Sequence, residues 1–248
     1  MKAERLNAAL AARDFVDPQA RLWVDAVVRQ RRSVRAFTDT PVDPDVIAEI
    51  LEVAARAPSG TNMQPWSVYV VQRPTIARIA ARIDAAYPRP ERAQWTDYRY
   101  YPARFSEPYL SRRRQLGTVL YSLLGIDRRD VSGMRAHFQR NYDFFGAPVG
   151  LFITISRQLE TGSWIDLGMF MQTLLIAAQA RGLATCPQAA FAPFHEEIRP
   201  EIGMSRDEVL ACGIALGHED VTAPENALRT ARAPLGDWVR FVATGEQE

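Results

Sequence analysis

The sequence is nearly devoid of lysine. Of its 30 basic residues, 29 are arginine, and the one lysine is Lys2, at the start of the chain. A phosphate-binding P-loop, a Schiff-base enzyme and the Tyr-x-x-x-Lys pattern of dehydrogenases all need a lysine in the active site. The sequence argues against these classes and leaves arginine, whose planar fork suits phosphate and carboxylate, as the cation for binding anions.

Cysteine, histidine and long apolar runs are also scarce. Cys186 and Cys212 form no C-x-x-C motif, a usage that fits a reducing compartment and predicts a cytoplasmic protein. Three histidines without metal-ligand spacing predict no metal site. No run approaches the ~20 apolar residues that span a bilayer, so no membrane partner is expected. A formal net charge of +1 likewise gives no reason to expect a nucleic-acid partner.

Hydrophobic periodicity predicts alternating helices and strands. Helices are predicted from Asp17 to Gln30, from an N-cap at Asp43 to the stop at Pro58–Gly60, from Pro74 to Tyr87, and from Ile165 to Gly182. Strands are predicted over residues 66–72, 149–156, 184–191 and 209–217. Few strands and large helices indicate an α+β fold, with a mixed central β-sheet surrounded by helices, in a single domain over residues 1–248.

A segment from about residue 85 to 146 breaks this pattern. It begins with a proline-rich stretch crowded with tyrosine, tryptophan and phenylalanine, and continues into an arginine-rich helix around S-R-R-R-Q-L-G. So irregular and aromatic an insertion is typical of a lid or pocket wall, although a packing role remains equally open because aromatic residues dominate cores and sites alike.

Four short segments are candidates for binding. R-R-S-V-R at 31–35 follows the first helix and offers several charge-assisted donors to a phosphate, although an arginine run is often only a surface patch. A-P-S-G-T-N-M-Q-P-W at 57–66 is a polar turn between a helix and a strand. A-T-C-P-Q-A-A-F at 184–191 has small residues that allow a planar ring to approach, and R-T-A-R-A-P-L in the tail adds Arg229 and Arg232.

The order and spacing of these four segments resemble the FMN-dependent nitroreductase family. The resemblance covers residues 22–240 and implies an α+β, intertwined homodimer that binds FMN at the subunit interface. It implies that Arg31, Arg32, Ser33, Arg35 and Arg232, with Arg229 as a helper, hold the phosphate and ribityl chain. Pro187, Gln188 and Ala189 are expected along the ring near N5, and Pro58 and Ser59 are expected to come from the other subunit. Asn62 is expected at the isoalloxazine or ribityl edge, and Gln64 is a further cofactor-binding candidate.

The resemblance further implies an NAD(P)H-dependent reductase of nitroaromatic compounds, in which the nicotinamide and the acceptor use the same place in turn. No catalytic side chain is expected, because the flavin carries the hydride. The small aromatic substrate is expected to meet side chains of the insertion, which are Trp95, Tyr98, Tyr101, Arg104 and Phe105.

Three alternatives remain open at this point. A quinone or enone reductase would need the same cofactor site. A reductive dehalogenase of the iodotyrosine deiodinase type shares the first two segments, but it usually has a hydroxyl residue where Cys186 stands, and a thiol is a weaker donor. A non-enzymatic nucleic-acid-binding module is disfavoured by the balanced charge and the lack of a recognition-helix motif.

Overall fold

A four-stranded antiparallel sheet forms the centre of the fold in the computed structural model, which describes residues 18–87 and 96–242. Its strands, in the order β1-β2-β4-β3, are β1 (Trp66–Gln72), β2 (Val149–Ser156), β4 (Glu208–Gly217) and β3 (Ala184–Gln188). The two central strands are buried almost throughout, as their continuous apolar sequences predict.

The sheet was expected to be mixed, but all three of its ladders are antiparallel. Parallel pairing is confined to an isolated bridge between Ser33 and Thr185, where the arginine segment lies against the edge strand β3. Periodicity identifies strands but carries no information on their direction. The expected strand over 184–191 also ends early, because Ala189–Phe194 forms a 3-10 helix.

Seven α-helices surround the sheet in the described ranges: α1 (Pro18–Gln30), α2 (Pro44–Ala54), α3 (Arg73–Ala86), α4 (Tyr109–Leu123), α5 (Val131–Gln139), α6 (Thr161–Gln179) and α7 (His195–Ile202). Asp43 caps α2 as predicted, since its side chain accepts a hydrogen bond from Asp45 N. None of these helices is long and apolar enough to cross a membrane. The expected α+β fold is confirmed.

The sheet separates two apolar cores. One contains α2 and α6, and the other contains α3, α7 and two 3-10 segments, Arg140–Gly146 and Ala189–Phe194. These segments approach the sheet closely because β2 and β4 carry glycine where the rings of Phe144 and Phe191 lie. A Cβ at Gly150 would lie 2.6 Å from the Phe144 ring, and one at Gly213 would lie 2.4 Å from the Phe191 ring. This close packing holds both segments against the sheet.

Candidate functional site

The arginine segment at 31–35 extends the edge of the sheet. Val34 N donates a hydrogen bond of 3.0 Å to Thr185 O, and the Val34 side chain is buried in the core. Since side chains alternate in extended backbone, Ser33 and Arg35 face away from Val34. The segment is therefore a fixed part of the fold rather than a loose surface patch.

The tail meets this segment at a cavity of about 1030 Å³, here called the arginine cavity. Its described lining includes six arginines and no acidic residue: Arg29, Arg31, Arg32, Arg35, Arg229 and Arg232. Burial, together with the nearby charge of Arg232, lowers the pKa of Arg31. Such a concentration of like charge is unfavourable without an anion, so the cavity is built to receive one.

Asn226 joins the two halves of the arginine cavity. Its side-chain Oδ1 accepts from Arg35 N at 2.8 Å, and Nδ2 donates to Ala36 O and Asp220 O at 2.8 Å each. Its backbone oxygen accepts from Arg229 Nη1 at 2.9 Å and from Arg32 Nε at 3.4 Å. Asn226 is only 4% exposed, so these bonds fix the arginine segment to the tail. Sequence reasoning did not identify it.

The arginines predicted to bind phosphate differ in availability. Arg32 lines the cavity, but its Nη2 is held in an ion pair with Glu219. Arg35 Nη1 donates only to Ser33 O at 3.3 Å, and Arg232 donates to Thr230 within its own loop. Arg31, Arg35 and Arg232 therefore keep donors for a ligand, while Arg32 contributes charge and position.

The polar turn at 58–64 has a strained and well-anchored backbone. Thr61, Asn62 and Gln64 have φ values of 49°, 60° and 49°, a region that costs a non-glycine residue about 1–2 kcal/mol. Gly60 N donates to Asp166 Oδ2 at 3.0 Å, and Gln64 N donates to Ser59 Oγ at 3.0 Å. Backbone strain retained in an exposed turn is typical of a functional site.

This turn and the arginine segment lie at diagonally opposite corners of the sheet. The turn enters β1 at Trp66, in line with Val209 at the start of β4, whereas Ser33 pairs with Thr185 beside Leu216 near the end of β4. Seven residues along a strand and four strand spacings separate them by roughly 30 Å. The two motifs therefore do not contact the same group of a ligand within one subunit.

A second cavity, of about 730 Å³, lies at the end of β3 and is here called the aromatic cavity. Of the residues predicted for the ring and the substrate, five line it: Pro187, Gln188, Ala189, Tyr98 and Tyr101. Arg104 and Phe105 are not in its lining, and the Phe105 ring packs against Tyr101 with ring centroids 5.5 Å apart. Trp95 lies outside the described residues.

Gln188 presents a polar atom without a partner at this cavity. Its Nε2 donates to Asn141 O at 2.8 Å and to Asn141 Oδ1 at 3.2 Å, so the orientation of the amide is fixed by two oxygen acceptors. Its Oε1 is buried and has no hydrogen-bond partner among the described residues, and the residue is 3% exposed. A buried acceptor of this kind indicates that a ligand N–H group is expected here.

The strand β3 connects the two cavities. Ser33, in the arginine cavity, pairs with Thr185, and Gln188, in the aromatic cavity, stands three residues further along the strand, about 10 Å away. Cys186 lies between them, and burial raises the pKa of its thiol to about 11. The thiol is therefore neutral, and the site consists of a cationic end and an aromatic end joined by one strand.

Comparison with known proteins identifies the family and the fold. The model of the nitroreductase family matches residues 28–218, and the chain belongs to this family. A curated relative, the 4-nitrobenzoate reductase of Nocardioides sp. strain LMS-CY, is 39% identical over 88% of this chain and 89% of its own length.

Two solved structures of FMN-dependent nitroreductases named NfnB superpose closely. The FMN- and NADPH-dependent enzyme from Sphigopyxis sp. strain HMH gives a TM-score of 0.85 with 39% identity, covering 89% of this chain and 99% of its own. The enzyme from Mycobacterium smegmatis, solved in complex with NADPH, gives a TM-score of 0.84 with 31% identity, covering 90% of this chain and 99% of its own.

Proposed function

We propose that this protein is an FMN-dependent NAD(P)H nitroreductase, an oxidoreductase that reduces the nitro group of small aromatic compounds to nitroso and hydroxylamine products. The observation that carries the proposal is the pair of cavities joined by β3, one lined with arginine and the other with aromatic residues. The relative named as a reductase of 4-nitrobenzoate, and the two superposed enzymes that use FMN and NADPH, support the same activity.

The two cavities suit the two ends of FMN. Arg31, Ser33, Arg35 and Arg232 are assigned to the phosphate and ribityl chain, with Arg229 and Arg32 completing the positive field. Pro187, Gln188 and Ala189 are assigned to the ring, where the free Oε1 of Gln188 suits an N–H group of the flavin. When bound, FMN supplies the transfer of electrons from NADH or NADPH to the acceptor.

We further propose that the site is completed across a homodimer. The polar turn is roughly 30 Å from the arginine segment of its own subunit by strand geometry, yet it is strained, anchored and exposed as a binding turn would be. A two-fold axis that brings the turn of one subunit to the cavities of the other would place Pro58, Ser59, Asn62 and Gln64 against the flavin.

A stripe of exposed and half-buried residues on α6 supports this assembly. Ile165 is 64% exposed, and Met169, Gln172 and Ile176 follow it on the same face at the spacing of a helix–helix contact. A Cβ added at Gly168, on this face, would meet no atom of the described residues beyond its own helix within 4 Å, so a second helix has room to approach closely. Because the opposite face of α6 is buried in the core, this stripe is suited to pairing with its own copy.

The proposal also places the protein in the cytoplasm as one flavin-binding domain over residues 1–248. Cys186 and Cys212 are both buried free thiols, which fits a reducing compartment.

The test begins with the purified protein, which is expected to be yellow, with about one FMN per subunit by absorbance and mass spectrometry. NADH and NADPH oxidation is then followed with nitrobenzoates, nitrobenzene, quinones and halogenated tyrosines. Nitro reduction to hydroxylamine supports the proposal, and turnover of halotyrosines without nitro reduction would replace it with a dehalogenase. Colourless protein that does not take up FMN would refute it.

A further inference from the structure

We propose that Arg99 recognises an anionic substituent, a carboxylate above all, on the aromatic ring of the substrate. This inference rests on the proposed function, since it assigns the substrate class of the aromatic cavity. It adds a specificity-determining residue that the sequence motifs do not contain.

Arg99 is the one charged residue among the described residues that line the aromatic cavity. The other lining residues are aromatic, aliphatic or neutral polar. The Arg99 side chain is exposed and makes no hydrogen bond or ion pair within residues 18–87 and 96–242. A free guanidinium beside aromatic walls is suited to bind a carboxylate by two parallel hydrogen bonds while the ring stacks.

The backbone before Arg99 is anchored through the side chain of Asp97. Asp97 accepts from Arg157 Nη1 at 2.8 Å and from Nη2 at 2.9 Å, and this hydrogen bonding lowers the pKa of Asp97, so it remains ionised at neutral pH. His195 Nδ1 lies 3.8 Å from the same carboxylate. The position of Arg99 is thus tied to the loop after β2 and to α7.

Tyr98 supplies the second anchor. Its hydroxyl donates to Ala211 O, and its ring packs against Trp164 with centroids 4.7 Å apart. Ala211 is the extra residue at the register shift between β2 and β4, so it has no partner in that ladder. Asp97 and Tyr98 are therefore both held by other parts of the fold. The side chain of Arg99, the next residue, has no such contact and is available to a ligand in the aromatic cavity.

The other arginines of the insertion are less suited to this role. Arg113 lies over the rings of Phe105 and Tyr101, at 4.6 and 5.3 Å from their centroids. Arg112 lines a separate cavity against the tail, and Arg104 does not line the aromatic cavity. The sequence alone does not distinguish Arg99 from these arginines. Its place in the lining of the aromatic cavity does.

The test compares 4-nitrobenzoate with 4-nitrobenzamide, which has the same nitro group and a neutral substituent of similar shape. In the holoenzyme, Arg99→Gln is expected to lower the kcat/KM for 4-nitrobenzoate, relative to that for 4-nitrobenzamide, by about tenfold to a hundredfold. Most of this change is expected as a higher KM for the benzoate. Arg99→Lys should recover part of the ratio because it keeps the charge, and the exposed Arg128→Gln is the matched control.

A second measurement does not depend on turnover. Calorimetric titration of the holoenzyme with benzoate and with benzamide should show tighter binding of benzoate, and Arg99→Gln should abolish the difference. Equal binding of the two by the wild-type protein, or an unchanged ratio in Arg99→Gln, would overturn the inference. Failure to reduce either nitro compound, with the benzoate preference and its dependence on Arg99 intact, would instead overturn the proposed function alone.

Discussion

The arginine cavity and the aromatic cavity lie on one strand but differ in how the chain builds them. The arginine cavity takes all six of its arginines from two short stretches, 29–35 and 229–232, whose residue types already indicate an anion site. The aromatic cavity draws on Tyr87, Arg99, Asn141 and Gln188, each from a different part of the fold. The comparison indicates that the proposed cofactor end is encoded mainly in local motifs, whereas the proposed substrate end depends on tertiary packing.

The largest effect is expected from breaking the proposed dimer, because in that dimer the partner's turn completes the flavin site that both cavities share. Ile165→Arg places a charge in the proposed α6 contact, and an unpaired buried charge costs about 3–5 kcal/mol or more. We expect monomers that retain helical structure but bind no flavin, measured by light scattering and absorbance. Val221→Arg, at a site that is 83% exposed, is the control. A flavin-loaded monomer of Ile165→Arg would contradict the shared site.

A smaller effect is expected to be confined to the arginine cavity. Asn226→Leu preserves the size of the residue but leaves Arg35 N without its partner, and it removes one of the two hydrogen bonds that Ala36 O and Asp220 O each accept. We expect unfolding free energy to fall by about 2–4 kcal/mol and FMN affinity to fall by at least tenfold. Urea unfolding and flavin titration measure the two effects.

Thr222→Val is the control for Asn226→Leu, because it removes a side-chain hydrogen bond to Asp220 in the same loop without touching the arginine segment. If Asn226→Leu bound FMN normally, Asn226 would have only a stabilising role.

The smallest effect is expected on the aromatic side. Tyr98→Phe removes the hydroxyl that donates to Ala211 O, at a cost of about 0.5–1.5 kcal/mol in unfolding free energy. Flavin content should stay unchanged, while KM for the nitroarene rises as the support of Arg99 loosens. Thermal unfolding, absorbance and steady-state kinetics report these three quantities. Loss of flavin in Tyr98→Phe would show that the two cavities are not separable in this way.

The difference between the two cavities also explains how much of the fold and of the site could be predicted from the sequence. Helix and strand positions followed from periodicity, and the arginine segment followed from residue type. Strand direction could not be predicted, so the sheet was expected to be mixed. The roles of Asn226 and Arg99 depend on contacts between residues far apart in the chain, and Arg99 is one of 29 arginines. Arg104 and Phe105 were predicted from aromatic and charged composition, which does not determine the side of the segment that faces the cavity.

The central claim is that the arginine cavity holds the phosphate of FMN. It is tested most directly by the affinities of the apoprotein for FMN and for riboflavin, which lacks the phosphate, in the wild type and in Arg31→Ala. The account predicts that the wild type prefers FMN by about a hundredfold or more and that Arg31→Ala reduces this preference by at least tenfold with riboflavin binding unchanged. An equal loss of both affinities, or no loss at all, would contradict it.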